Sequence, residues 1–190
     1  MKKLLLSSLL ICFSYANSEV YTDVVKPVFA DTKATKSIGR LLPTNGVKIL
    51  EKNKDILKLE VQGYQNPDVK NVIYFNNSER IFTLALSKTA KIDIKVIEEG
   101  KNGKWNLVKT EVFAKDGGFS SDLQPIFNKA KNIYENNCGT CHSLHKPTSY
   151  KANQWPSLLK SMLSRTAIDK KDEWLVIQYL QKNASDKNAK

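Results

Sequence analysis

Histidine and cysteine are nearly missing from this chain. Two histidines and three cysteines stand among 190 residues, and all except Cys12 fall in the stretch NNCGTCHSLH, residues 136–145. The long segment between Cys12 and Cys138 has neither residue type, and no catalytic constellation is found in it. Long apolar runs are absent after Phe13, so nothing further along is built to cross a bilayer. Internal repeats and long low-complexity tracts are absent as well. Acidic residues are outnumbered: 19 against 30 Lys and Arg, a net charge of +11. Such a surplus favours acidic partners and steers association. A lysine-rich background without a docking face explains it equally well.

The chain opens MKKLLLSSLLICFSYANSEV. Lys2 and Lys3 precede an apolar run, Leu4 to Phe13, and Ser14-Tyr15-Ala16 supplies the small residues a signal peptidase reads. This layout predicts a secretory signal over residues 1–16, with a retained anchor as the plainer alternative. Ile11 stands before Cys12 where a lipoprotein expects a small residue. Removing Lys2 and Lys3 leaves 28 basic against 19 acidic residues, a charge of +9. Export to the periplasm argues against nucleic acid as the partner of that charge, and it implies oxidising surroundings. Cys138 and Cys141 must then form a disulfide or be otherwise occupied.

From about Gly39 to Ala114 the pattern has period two. Leu57, Leu59 and Val61 alternate with polar residues, as do Ile92, Ile94 and Val96, and PTNG, EKNKD, NNSE and EEGKNGK punctuate the runs. Short strands at this spacing predict a small antiparallel barrel or sandwich. The segment VKILEKNKDILKLEVQGY resembles the opening strands of a bacterial SH3-like barrel.

After KDGGFSS the spacing becomes helical. Leu123, Phe127, Ala130 and Tyr134 are three or four apart, which predicts a helix to about Asn136 capped by Ser120 or Ser121. A second helix is expected from Gln154 to about Arg165, with Pro156 in its first turn. A third is expected from Lys170 to Asn183, capped through Asp169 and Asp172, with Trp174, Ile177 and Leu180 buried. The expected fold class is therefore α+β. A β-rich SH3-like domain (17–118) precedes a three-helix domain (119–190) that is small for a self-sufficient core.

Cys138-Gly-Thr-Cys141-His142 follows the first of these helices. The pattern C-x-x-C-H is the attachment signature of c-type haem: two thioethers tether the macrocycle and the adjacent imidazole is delivered to the iron. A structural zinc site needs four ligands, usually with a second cysteine pair or more histidines, and only His145 is available in addition. A thioredoxin-like dithiol expects βαβ surroundings, and a plain disulfide leaves His142 unexplained. One covalent haem c, held by Cys138 and Cys141 with His142 as proximal ligand, is the expectation. Pro147 stands where its carbonyl could accept the second imidazole N–H, or it only shapes the loop.

Thioether and imidazole are the usual distal ligands. Without the signal, Met162 is the one remaining methionine and His145 the one other histidine. Three residues beyond His142 is too short a span to pass round the haem, which points to Met162 as distal ligand. An open site or His145 remains the alternative. Trp155 lies seven residues before Met162, so both project from one helix face and the indole is expected to pack on the haem.

LLPTNGVKILEK, VIYF, RIFTLALS, SDLQPIF, CGTCHSLH, ANQWPSLLKSM and YLQKNASD together resemble the C-terminal monohaem domain of TorC-type pentahaem cytochromes. The matches run in order from about residue 20 to 186. The resemblance implies a stand-alone periplasmic monohaem cytochrome c. It would pass electrons to a periplasmic molybdenum reductase of trimethylamine N-oxide, dimethyl sulfoxide or related oxides. TorC-type proteins begin with a membrane-anchored tetrahaem domain that takes electrons from quinol. This chain shows only a signal there, so a membrane quinol-oxidising complex or another cytochrome is the expected donor. Some of Lys146, Lys151, Lys160 and Arg165 are expected to flank the haem edge and steer docking, or they form an ordinary solvated face. The rival readings are a haem-based ligand sensor or peroxidase-like enzyme with a labile distal site, and a reductase-docking or assembly protein.

Overall fold

A computed structural model describes residues 19–139 and 143–187. The expected signal, Cys141 and His142 lie outside these residues.

Ten strands come first: β1 (Glu19–Thr22), β2 (Lys26–Val28), β3 (Gly39–Leu41), β4 (Val47–Asn53), β5 (Ile56–Gln65), β6 (Val72–Tyr74), β7 (Phe82–Leu86), β8 (Ile94–Glu98), β9 (Asn106–Lys115) and β10 (Phe119–Ser120). Three helices follow: α1 (Gln124–Cys138), α2 (Trp155–Met162) and α3 (Glu173–Lys182). The strands are antiparallel in the order β10-β1-β4-β5-β6-β7-β3-β2, with β9 paired along the other edge of β5 and carrying β8. Phe29, just past β2, exchanges two backbone hydrogen bonds with Phe113 of β9, at 2.8 and 3.0 Å, so the sheet curls back on itself.

β5 and β9 form the spine because their alternation is the most regular in the chain. Leu57, Leu59 and Val61 of β5 and Val108, Val112 and Ala114 of β9 are fully or almost fully buried. They meet Val28, Leu41, Ile73 and Leu84 in one apolar core. Their register runs from Ile56 opposite Lys115 to Gln65 opposite Asn106. A one-residue slip would turn every one of these apolar side chains to the solvent face.

The expected architecture, a small SH3-like barrel followed by a cytochrome c-like three-helix haem domain, is corrected here. The sheet has ten strands, and β1, β2 and β10 lie outside the 39–114 segment. Those three strands have only two to four residues, too few to display an alternation. The helices also do not keep a core to themselves. Ile81, from the loop before β7, is buried among Tyr134, Trp155, Val176, Ile177 and Leu180. Tyr21 of β1 packs on Ile126, Ala130 and Leu175. So small a helical segment buries too little surface alone and takes the rest from the sheet.

α3 is the joint. It is buried nearly all round, through Leu175, Val176, Ile177, Gln178, Leu180 and Gln181, rather than along the expected Trp174–Ile177–Leu180 stripe, and Trp174 is half-buried against Phe82. Gln178 Nε2 donates to the Phe82 carbonyl at 2.8 Å and Gln181 Nε2 to the Ala152 carbonyl at 3.0 Å. The expected caps also differ. Ser120 forms a local turn with Asp122, whose carboxylate accepts the Gln124 N–H at 2.9 Å. Asp172 sits at the N-terminus of α3 without a side-chain capping bond.

Candidate haem site

α1 ends on Cys138, two residues further than its apolar spacing indicated. The Gly139 N–H donates to Glu135 O at 3.1 Å, and a Cβ at Gly139 would lie only 2.9 Å from that oxygen. A glycine between the two cysteines of the motif therefore suits the tight exit from the helix. Asn137 fixes this last turn on both sides. Its Nδ2 donates to Ile133 O at 2.8 Å, and its Oδ1 accepts the Ala167 N–H at 3.1 Å. The end of α1 and the segment after α2 thus frame one opening.

That opening is a cavity of about 450 Å³, in the size range of small-molecule and cofactor sites. Cys138, His145, Trp155, Leu158 and Met162 share its wall, and Tyr134, Tyr150 and Arg165 complete much of it. Trp155 is the fixed part. It is buried, its ring meets Tyr134 and Tyr150 edge-on at 6.1 and 5.1 Å, and its Nε1 donates to Pro147 O at 2.9 Å. Tyr134 Oη in turn donates to the His145 carbonyl at 2.9 Å. Burial, foremost, pushes the Tyr134 hydroxyl up to about 12 and also raises the Cys138 thiol.

Met162 and Leu158 are one turn apart on α2, and each leaves 36 % of its surface open. Two large apolar side chains exposed side by side on a cavity wall are an unburied surface that an apolar plate would cover. The donor set is consistent with a c-type haem: a thiol on a helix end, a thioether and an indole on the facing helix, and little charge on the wall. Cys138, Trp155 and Met162, singled out from the sequence, line one cavity. Cys141 and His142 lie outside the described residues. His145, the alternative distal ligand, lines the same cavity with its ring against Tyr150 at 5.4 Å. The Pro147 carbonyl accepts from Trp155. Among the described residues, no group of three or more His, Cys, Asp or Glu is placed to hold a metal ion.

Of the four cations expected at the haem edge, Arg165 lines the cavity. Lys160 points elsewhere, 3.6 Å from Glu173 and 5.1 Å from the Trp174 ring centre. Lys146 and Lys151 are exposed outside the lining. Sequence reasoning did not assign Tyr134, Tyr150 or Leu158 to the site. Tyr134 stood in the helical apolar spacing, and nothing marked its hydroxyl as a brace for the loop after the motif.

Comparison with known proteins places these features. Residues 15–119 match the family TorC third cytochrome c domain, and residues 134–190 match the family Dihaem cytochrome c. The first matched segment contains no cysteine or histidine, so the CxxCH motif falls in the second. The cytochrome c-type protein TorC of Escherichia coli K12 is 28% identical over 172 residues, which is 88% of this chain and 44% of the relative. The cytochrome c-type protein TorY of Haemophilus influenzae is 25% identical over 161 residues, 81% of this chain and 44% of the relative. The chain spans less than half the length of these curated relatives. No solved structure gives a significant match. With residues 15–119 making up more than half of its length, the chain belongs to the TorC third cytochrome c domain family of c-type cytochromes.

Proposed function

We propose that this chain is a periplasmic monohaem c-type cytochrome that passes electrons to a periplasmic molybdenum reductase of S- or N-oxides. The observation that carries the reading is the cavity at the end of α1, where the first CxxCH cysteine faces the indole and thioether of α2. Cys138 and Cys141 would hold one haem, with His142 as proximal and Met162 as distal ligand. When bound, the haem supplies a one-electron ferrous–ferric couple whose potential the axial ligands set.

The chain's own residues hold and shield that centre. Trp155, braced by Tyr134, Tyr150 and the Pro147 carbonyl, keeps one wall rigid and dry. Leu158 and Met162 extend that wall along α2 with apolar surface. Residues 119–190 carry the redox centre, and residues 17–118 orient it on a partner. Among the described residues no helix is long and apolar enough to cross a membrane. The proposed export signal supports a periplasmic setting, with a membrane quinol-oxidising complex or another cytochrome as donor. The carrier role, rather than a catalytic one, is supported by kinship with c-type cytochromes.

Stopped-flow reoxidation of the reduced protein by a candidate reductase with its oxide substrate tests the assignment. Rapid reoxidation dependent on both reductase and oxide is expected. No reoxidation with any S- or N-oxide reductase would remove the acceptor assignment and leave the cytochrome reading standing. His145 on the same cavity wall favours a second reading, a ligand sensor with a labile distal position. A ferrous spectrum that shifts readily with carbon monoxide would support it over stable Met162 ligation.

A further inference from the structure

A second cavity, about 620 Å³, lies away from Cys138, between the sheet and the helices. Its wall takes in Glu19 of β1, the turn Thr44–Gly46, Tyr64 of β5, Phe75, Phe127 of α1 and Lys182 at the end of α3. Two polar groups in it are left in unusual states. The Lys182 ammonium donates to Thr44 O at 2.8 Å and to Asn45 Oδ1 at 3.0 Å, and lies 4.1 Å from the Phe75 ring centre. Every one of these neighbours is neutral. Among the described residues no carboxylate comes within ion-pair distance of it. An ammonium partly withdrawn from water with no carboxylate within ion-pair distance is costly. Thr44 is 1 % exposed, and no protein group among the described residues accepts from or donates to its Oγ1. Buried hydroxyls normally have a partner.

The backbone carries the same message. Thr44 has φ +63°, a conformation that a β-branched residue adopts only when its surroundings impose it. Asn45 imposes it from the inside: its Nδ2 donates to Leu42 O, Pro43 O and Phe82 O at 3.0–3.1 Å, while Thr83 Oγ1 donates to its Oδ1. The strained turn thus presents the Thr44 carbonyl to the Lys182 ammonium. Gly46 lets the Glu19 carboxylate pack against the turn, since a Cβ there would collide with it. The remaining wall is aromatic, with Tyr64, Phe127 and a Phe75 ring that is 45 % exposed.

We propose that this cavity is a binding site for a small organic monoanion. Its carboxylate is held by the Lys182 ammonium, and its apolar part lies among Tyr64, Phe75 and Phe127. Lys182 and Lys48 share this wall with one carboxylate, Glu19, which leaves a surplus of one positive charge for one negative charge. Glu19 on the rim, hydrogen-bonded by Tyr21 Oη at 2.9 Å, repels a second, so the site discriminates against dianions such as phosphate. Burial, partly offset by Glu19, holds Lys182 down to about 7, and a bound carboxylate would return it toward its ordinary range.

Calorimetric titration of the full-length haem-loaded protein with benzoate, octanoate and inorganic phosphate tests this. Saturable heat is expected with benzoate or octanoate and none with phosphate. Lys182→Met should weaken carboxylate binding by about tenfold or more, the scale of a lost charge-assisted hydrogen bond. Should that variant not fold, Phe75→Ala, at a half-exposed position, should weaken it several-fold. Three results would each overturn the proposal: no saturable heat with either carboxylate, phosphate binding as tightly as benzoate, or unchanged carboxylate affinity in the folded variants.

Discussion

Trp155 Nε1 and the Pro147 carbonyl oxygen lie 2.9 Å apart, and this bond ties the first turn of α2 to the loop that follows the CxxCH motif. Trp155→Phe keeps an aromatic ring but leaves that carbonyl without its donor. The variant should lose about 1–3 kcal/mol of stability in urea denaturation, the usual penalty for an orphaned buried acceptor. It should also broaden the haem absorption as the loop loosens. An unfolding midpoint equal to wild type would show that the bond is dispensable.

Met162 and His145 line the same cavity but enter it from different elements. Met162→Ala should abolish thioether-to-iron charge transfer and lower the midpoint potential. The fall should be a sizeable part of the roughly 0.8 V range that axial ligands span. His145→Ala should leave both nearly unchanged. The reverse pattern would transfer the distal role to His145.

Removing either motif thiol should break the covalent tether. Cys138→Ala and Cys141→Ala should each show weakened haem staining after denaturing electrophoresis, and the double variant none. Leu158 and Met162, each 36 % exposed, then have nothing to cover them. The double variant should therefore also bind more of a hydrophobic dye than wild type. Full covalent staining in the double variant would remove the attachment assignment.

Arg165 is the one cation of the expected four that reaches the cavity wall. If it steers docking, electron transfer to the reductase should slow as ionic strength rises, because the Debye length falls from about 10 Å at 0.1 M to 3 Å at 1 M. Arg165→Ala should flatten that dependence, whereas Lys160→Ala, paired with Glu173, should alter it less. A wild-type rate that ignores salt would remove steering.

Lys187 and Glu79 form an ion pair with side chains only 17 % and 16 % exposed. Burial alone would raise the Glu79 carboxyl, but hydrogen bonds from Lys187, Ser78 and Asn76 bring it below its ordinary value. A carboxylate depressed in the folded state stabilises fully above its unfolded pKa and loses that contribution as pH falls through the folded one. Glu79→Gln should thus lower stability at pH 7 by about 1–3 kcal/mol, and the difference from wild type should shrink on acidification to about pH 3. A difference independent of pH would mean the charge is not involved.

The long elements were legible in the sequence because their periodicity is written many times over. Leu57, Leu59 and Val61 state the inward face of β5 without help, and the seven-residue spacing of Trp155 and Met162 puts both on one cavity wall. Strands of two to four residues repeat their pattern too few times to be read, which is why β1, β2 and β10 were missed and the sheet was expected to be smaller. Gln178 and Gln181 stand outside the expected Trp174–Ile177–Leu180 stripe, yet both are buried, since what makes them tolerable is carbonyls 96 and 29 residues away in the chain. Thr44 and Lys182 carried no signal for a related reason. PTNG announces a turn but not which residue takes the left-handed conformation, and Lys182 is one among many lysines until the fold sets it against the Thr44 carbonyl.

α3 fastens the sheet on one side and the loop before Trp155 on the other with side-chain amides, from Gln178 to Phe82 and from Gln181 to Ala152. Hydrogen bonds tolerate little change in angle, whereas apolar contacts slide. A protein that grips the curled sheet therefore also fixes the bearing of the Trp155 cavity. The sheet and the opening at the end of α1 therefore turn together as one piece.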